Sequence, residues 1–272
     1  MSNYARGSEW RKWDMQVHTP YSALNNGFGG DFEVYAREFF RRAIENGVAV
    51  VGVTDYFSVA GYKQLQALRA DSPRLARILG DPALVAQARQ IALFPNIEFR
   101  SATILSNERG DSRVNLHVIF SDEVEVEELE NNFLCQLKFT AEGAPGEPDE
   151  RWPLTLANLE RLGKRLKAQH APFRQNSDVY VGMMNAVIEH GEITEALERL
   201  RSTFRGRYVV AVPVDEDLSK VQWNSQGHLF RKVFIQKSHM LFSANPGTRE
   251  FGLGRRHATL AEYTSEFKTQ KP

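Results

Sequence analysis

The sequence is short of most features that would assign it at a glance. It holds a single cysteine in 272 residues, so no disulfide can close within the chain and a cross-linked scaffold is excluded. That residue, Cys135, lies in an apolar-periodic stretch between Leu134 and Gln136, where a free thiol is expected to be buried, and it suits a reducing compartment. Net charge is also missing. Lys plus Arg and Asp plus Glu both number 34, so no overall field draws the chain toward nucleic acid or a membrane, and any such attraction has to be local. No segment approaches the roughly 18 apolar residues of a bilayer span, and the opening MSNYARGSEWRKW lacks the apolar core of a secretion signal. A cytoplasmic protein without membrane contact is expected. The Gly-x-x-x-x-Gly-Lys-Ser/Thr phosphate loop is absent, so this chain carries no ATPase of that type. What is present is an ordinary globular composition, 42% hydrophobic and 25% charged, with no repeat and length enough for a sizeable core.

Short apolar runs ending in polar residues mark the strands. Trp13 to His18 alternates Met15 and Val17 with Asp14, Gln16 and His18. Phe32 to Asn46 has helical spacing, and Val48 to Thr54 is a second strand ending at Asp55. Strand, helix and strand within about 45 residues is the length of a parallel crossover, and a repeated α/β architecture follows from it. Two or three short helices fill Gly61 to Gln90, broken at Asp71-Ser72-Pro73 and Gly80-Asp81-Pro82. Further strands are expected at Ile91 to Phe99, Val114 to Phe120, Arg207 to Val214 and His239 to Ser243. The acidic run from Asp122 to Glu130 reads as a solvated helix start. A Gly- and Pro-rich loop from Ala141 to Pro153 opens a helical insertion over about 141–205, with helices at Leu154 to Gln169, Asp178 to Glu189 and Thr194 to Phe204. Helices at Gly227 to Lys237 and Leu260 to Lys268 complete the series. The fold expected is α/β, a single domain in the form of a distorted, incomplete (βα)7 TIM-like barrel, since the sequence stops at Pro272 where another strand would follow.

In parallel α/β folds the chemistry gathers at the carboxyl ends of the strands. His18 ends the first strand, Asp55 ends the second, Glu98 lies near the end of the third, and His117 lies within the fourth. Imidazole and carboxylate donors of this kind suit Zn, Mn or Fe. Each residue also has a plainer reading. His117 alone would pass for a core histidine, Asp55 for a helix cap before Ser58, and Glu98 for the buried partner of Arg100 on the same strand face. The basic residues Arg161, Lys164, Arg165 and Lys167 are a candidate phosphate-contacting face, although Leu159, Leu162 and Leu166 make the helix an ordinary amphipathic one. Trp223 with Asn224 and Gln226 reads as packing or as a stacking loop, and His170, His190 and His257 read as surface groups.

The segments Trp13-Asp14-Met15-Gln16-Val17-His18-Thr19-Pro20 and Val53-Thr54-Asp55-Tyr56 resemble the first two motifs of the polymerase and histidinol phosphatase (PHP) domain. Asn96-Ile97-Glu98 resembles its third motif, and Asn115-Leu116-His117 its next histidine. The match spans roughly residues 10 to 120. The resemblance implies a distorted seven-stranded barrel with divalent metal at the strand ends, and a metal-dependent phosphoesterase in which His18, Asp55, Glu98 and His117 are ligands. Gln16 stands where the family has its first histidine and Tyr56 where it has the histidine of Thr-Asp-His, while the closing Ser-Asp-Ala-His is missing. His228 and His239, with Asp215, are candidates for the remaining positions, Gln16 is a possible oxygen donor, and Arg100 would hold the phosphate beside a catalytic His117. The segment Gly-Ser-x-Trp-x-Lys-Trp-Asp, ending at Asp14, resembles the start of TrlF-like proteins that join a PHP domain to an AAA- or SMC-like ATPase. That likeness implies an ATPase domain or subunit as partner, DNA or another phosphodiester as substrate, nuclease activity, and a role in DNA transactions or phage defence. The alternative is a catalytically silent PHP-like module that serves as a scaffold, which Gln16 and Tyr56 favour.

Overall fold

The computed structural model describes residues 10–24, 27, 30–107, 110–141, 143, 146, 148–214 and 229–255. Asp215, Trp223, His228, His257 and the helix expected from Leu260 to Lys268 lie outside the described residues. The chain runs through β1 (Lys12–His18), α1 (Phe32–Glu45), β2 (Val48–Tyr56), α2 (Ala60–Ala70), α3 (Ser72–Leu79) and α4 (Ala83–Gln90) to β3 (Ala92–Asn107) and β4 (Gly110–Phe120). A short α5 (Val126–Glu128) precedes the ribbon strands β5 (Lys138–Ala141) and β6 (Glu150–Pro153). Then come α6 (Leu156–Gln169), α7 (Asp178–Asn185), α8 (His190–Arg199), α9 (Arg201–Phe204), β7 (Tyr208–Pro213), α10 (Leu229–Lys237), β8 (Met240–Phe242) and α11 (Pro246–Gly252).

Six strands form one sheet in the order β1-β2-β3-β4-β7-β8, curled into a half-barrel with helices around it. This is a mixed α/β arrangement consistent with an incomplete TIM-like barrel. Strands β1, β2 and β3 run parallel, as the crossover lengths require. The repeat breaks at β4. Only two residues separate Asn107 from Gly110, too few for a crossover, so β4 turns back antiparallel to β3. β7 is antiparallel to β4 and therefore runs in the direction of the first three strands, with β8 parallel beside it.

Local chemistry explains the helix boundaries. Asp31 caps α1 by accepting from the backbone N–H groups of Glu33 and Val34 at 2.9 and 3.0 Å, and Tyr35, Ala36, Phe39, Phe40 and Ala43 form its buried stripe. Asp71 caps α3 in the same way, with Pro73 in the first turn. These helices cover Val51, Val53 and Leu93, while helices from the 141–205 stretch share a second core with Ile97, Phe99, Leu116, Val118 and Phe120. That stretch is also stitched to the sheet by backbone bonds, since Ile188 N–H donates to Arg100 O and Ala102 N–H to Ile188 O.

One expectation changes. Cys135 is exposed, because its 3-10 turn sends Leu134 and Leu137 inward and the thiol outward. The acidic run gives one α-helical turn, α5, before the backbone widens into a π-turn that buries Leu129 and Phe133. The basic residues of α6 are engaged within the protein. Arg161 and Arg165 stand 4.2 and 4.6 Å from the Trp152 ring centre, Arg165 pairs with Glu150, Lys164 with Glu160, and Lys167 with Asp178.

At the bulge where β1 slips register against β2, the Met15 backbone comes so close to Gly52 that a Cβ there would sit 2.3 Å from Met15 O. Gly52→Ala should therefore displace β1 and lower stability by about 2 kcal/mol or more. Gly191→Ala, in α8 with open space around its Cβ, should be neutral or slightly stabilising. Urea unfolding of the two variants checks this, and equal midpoints would contradict the close approach.

Candidate functional site

Register alone assembles the site. Side chains alternate between faces along a strand, and directly paired residues share a face. The pairings Tyr56 to Glu98 and Glu98 to His117 therefore set three of these side chains side by side across β2, β3 and β4. One row toward the strand starts, His18, Thr54 and Asn96 align, and one row further out Arg100 pairs with Asn115. The opposite face in the same region carries Asp55, Ile97, Val118 and Val210 in one row, against the helices.

Glu98 is 1% exposed and lies between two imidazoles. His18 Nε2 is 3.2 Å from Oε2 and His117 Nε2 is 3.7 Å from Oε1. Asn115 Nδ2 donates to Oε1 at 2.5 Å, and the His18 ring stacks on Tyr56 with centroids 5.3 Å apart. Burial raises the Glu98 pKa, but His18, His117 and Asn115 together outweigh it and hold the carboxyl below its usual value. Burial also pushes the Tyr56 hydroxyl up, and the neighbouring Glu98 charge adds to this, so the phenol keeps its proton.

The tautomer of His117 is fixed from outside. Asn96 Nδ2 donates to Met15 O at 2.8 Å and to Thr54 Oγ1 at 2.9 Å, which turns its Oδ1 toward His117 Nδ1 at 3.1 Å. A carbonyl oxygen can only accept, so His117 carries its proton on Nδ1 and presents a lone pair at Nε2. That atom is buried without a hydrogen-bond partner, as is Glu98 Oε2. Burial lowers the His117 pKa to about 4 despite the Glu98 charge, so at neutral pH no proton fills the gap. An imidazole lone pair 3.7 Å from an ionised carboxylate in a buried site is the donor chemistry a divalent cation fits, with His18 on the other carboxylate oxygen as a third donor. The three do not yet converge. Among the described residues no group of three His, Cys, Asp or Glu side chains forms a ready ion cage, because the imidazoles flank Glu98 on separate oxygens.

The other expected residues are placed as follows. Asp55 is turned to the helix face, where Thr19 Oγ1 donates to one oxygen at 2.6 Å and Gly61 N–H to the other at 2.8 Å. A Cβ on Gly61 would meet both Thr19 and Asp55, so glycine there allows the clamp. Gln16 is exposed, within the β1 bulge. Arg100 makes no ion pair with Glu98 among the described residues, contrary to the plainer reading, and its Nε is buried without a hydrogen-bond partner while its charge acts on Tyr56. His239 stands just before β8 at the far edge of the sheet, three strands from Glu98, where its Nδ1 accepts from Val210 N–H at 2.9 Å. His228 lies outside the described residues. His190 is half-buried rather than a surface group.

No protein-family model matches the chain, and no curated protein does. Among solved structures, the fold resembles a Bifidobacterium adolescentis protein named provisionally as a metal-dependent phosphoesterase. The TM-score is 0.37 at 11% identity, over 95% of this chain and 85% of that one. At that level the likeness assigns neither family nor chemistry.

Asn96, Asn115, Ser22 and Tyr56 complete the surroundings, with Ser22 Oγ 2.9 Å from His18 Nδ1. The alternation of Asn96, Glu98 and Arg100 on β3, and of Asn115 and His117 on β4, was the available signal for the two amides. At the end of β2, Phe57 takes a left-handed backbone with φ 57° and donates its N–H to Glu98 O at 3.1 Å, a strained turn for a bulky residue.

Two buried groups impose opposite pH dependences on the metal-free protein. Burial, offset in part by Thr19 and Gly61, lifts Asp55 from 3.8 to about 6, so stability falls as pH rises through that window. His117 drops from 6.5 to about 4, so stability rises with pH over nearly the same range. Each amounts to about 3 kcal/mol, and between pH 4.5 and 6 they nearly cancel. With chelator present, Asp55→Asn should gain stability with rising pH across that window and His117→Gln should lose it. Urea unfolding at half-unit pH steps checks this, and slopes equal to the wild type would refute it.

Proposed function

We propose that the chain is a metal-dependent phosphoesterase. The observation that carries this is the buried His117 Nε2 lone pair facing the ionised Glu98 with no proton donor between them. His117, Glu98 and His18 would hold the cation. A divalent cation, when bound, supplies Lewis-acid polarisation of a phosphoryl oxygen. Around it, Asn96 fixes the His117 tautomer, Asn115 and Tyr56 orient Glu98, and Asp55 ties the turn after β1 to the start of α2. Arg100, one register row further out, would hold a phosphate through its planar guanidinium.

The proposal extends to a phosphodiester such as DNA as substrate and to an ATPase domain or subunit as partner. Support for both comes from the residues around Trp13 and Asp14 that resemble TrlF-like proteins. The basic face of α6 lends no further support, since its charges are engaged with Trp152, Glu150, Glu160 and Asp178. A silent scaffold is the second reading, favoured by Tyr56, a protonated phenol beside Glu98 where the resemblance calls for an imidazole.

Elemental analysis after incubation with Mn, Zn or Fe(II), followed by hydrolysis of bis(p-nitrophenyl) phosphate, separates the two. Glu98→Gln and His117→Ala should weaken metal uptake by about 10- to 100-fold and reduce kcat/KM by at least as much. Arg100→Ala should act mainly on KM while leaving metal content unchanged. A wild-type protein that takes up no metal, with hydrolysis unaltered by His18→Ala or His117→Ala, leaves the scaffold reading standing.

A further inference from the structure

At the edge of the sheet formed by β7 and β8, the start of β7, the residue before β8 and the turn after α9 enclose an open basin of about 430 Å³. Glu198, Arg201, Arg205, Gly206, Tyr208 and His239 line it, and its volume lies within the range of small-molecule sites. None of these residues touches the arrangement around Glu98.

The polar groups of the basin are mostly donors. Val210 N–H donates to His239 Nδ1 at 2.9 Å while the His239 backbone N–H donates to Val210 O at 2.8 Å, so one residue holds both the ring and the main chain of His239. Because a backbone N–H can only donate, Nδ1 is the acceptor and the neutral ring carries its proton on Nε2. The Tyr208 ring packs edge-on against His239 with centroids 6.2 Å apart, placing a phenol in the same basin. Glu198 is the one carboxylate of the lining, and Arg201 Nη1 engages it at 3.1 Å. Arg205 is exposed and forms no ion pair among the described residues. The sum is one uncompensated guanidinium, a second guanidinium with spare N–H groups, an imidazole N–H and a phenol.

We propose that this basin binds a small ligand through a phosphate monoester group. A tetrahedral oxyanion accepts hydrogen bonds from several directions at once, which suits two guanidinium forks meeting an N–H and an O–H, whereas a planar carboxylate would leave donors unused. A nucleic-acid backbone is a poorer occupant, since a single uncompensated cation offers little counterion release.

The test uses the full chain in chelator, so that no cation at Glu98 collects the anion. Inorganic phosphate and adenosine monophosphate are titrated while the His239 ring signals are followed by NMR, with acetate as the planar comparison. Both phosphates should shift the ring signals saturably, and acetate should bind about tenfold more weakly or less. Arg205→Ala and Arg201→Gln should each weaken phosphate binding by about tenfold, with thermal unfolding unchanged for the exposed Arg205 variant, while Glu98→Gln leaves it intact. Absence of a saturable shift in the wild type, or binding that survives Arg205→Ala, overturns the proposal. Binding lost in Glu98→Gln would place the anion at the other site and overturns it equally.

Discussion

A carboxylate removed from water must be compensated by charge or hydrogen bonds, or it takes up a proton. Glu98 meets this demand with Asn115 and with His18, whose Nε2 stands 3.2 Å away, and the surrounding structure is arranged to bring them to it. The compensation is incomplete. A neutral His117 turns a lone pair toward Glu98, and one carboxylate oxygen lacks a hydrogen-bond partner. An apolar core would not retain such an arrangement, because each unsatisfied buried polar atom costs on the order of 1–3 kcal/mol. The incompleteness is what makes a cation chemically sensible there.

The division of labour between sheet faces follows from the two-residue period of the strands. On β2, Val51, Val53 and Asp55 face the helices, while Thr54 and Tyr56 face the polar row. Asp55 thus works as a brace, joining Thr19 after β1 to the backbone at the start of α2. Asn96 is the corresponding brace on the polar face. Its amide joins the β1 bulge to β2 and in the same act sets the His117 proton. Gly52 and Gly61 belong to these braces, since each leaves the space through which a neighbouring strand or side chain passes.

Much of the fold could be read locally. The breaks at Asp71 and Gly80 and the first strand's end at His18 depend on neighbouring residues and survive unchanged in the structure, while the second strand runs one residue past Asp55 to Tyr56. The reading failed where distant pairing decides the outcome. The reversal at β4 and the length of β3 follow from hairpin pairing, and α11 packs Phe251 into a core assembled from remote strands. His239 was a candidate for one of the remaining ligand positions, but the strand order places it beside β7 at the sheet edge, three strands from Glu98.

The sequence by itself determined which chemical groups are available and at what alternation along each strand: His18, Glu98 and His117 as donors, with Asn96 and Asn115 two residues from their partners on the same faces. Only the tertiary structure decided that Tyr56 rather than Asp55 stands beside Glu98, and that Arg100 leaves Glu98 to the imidazoles. The physical reason is register. A shift of one residue in pairing exchanges the two faces of a strand, and that shift is set by the β1 bulge, the Asn96 clamp and the close approach at Gly52, none of which is local in sequence.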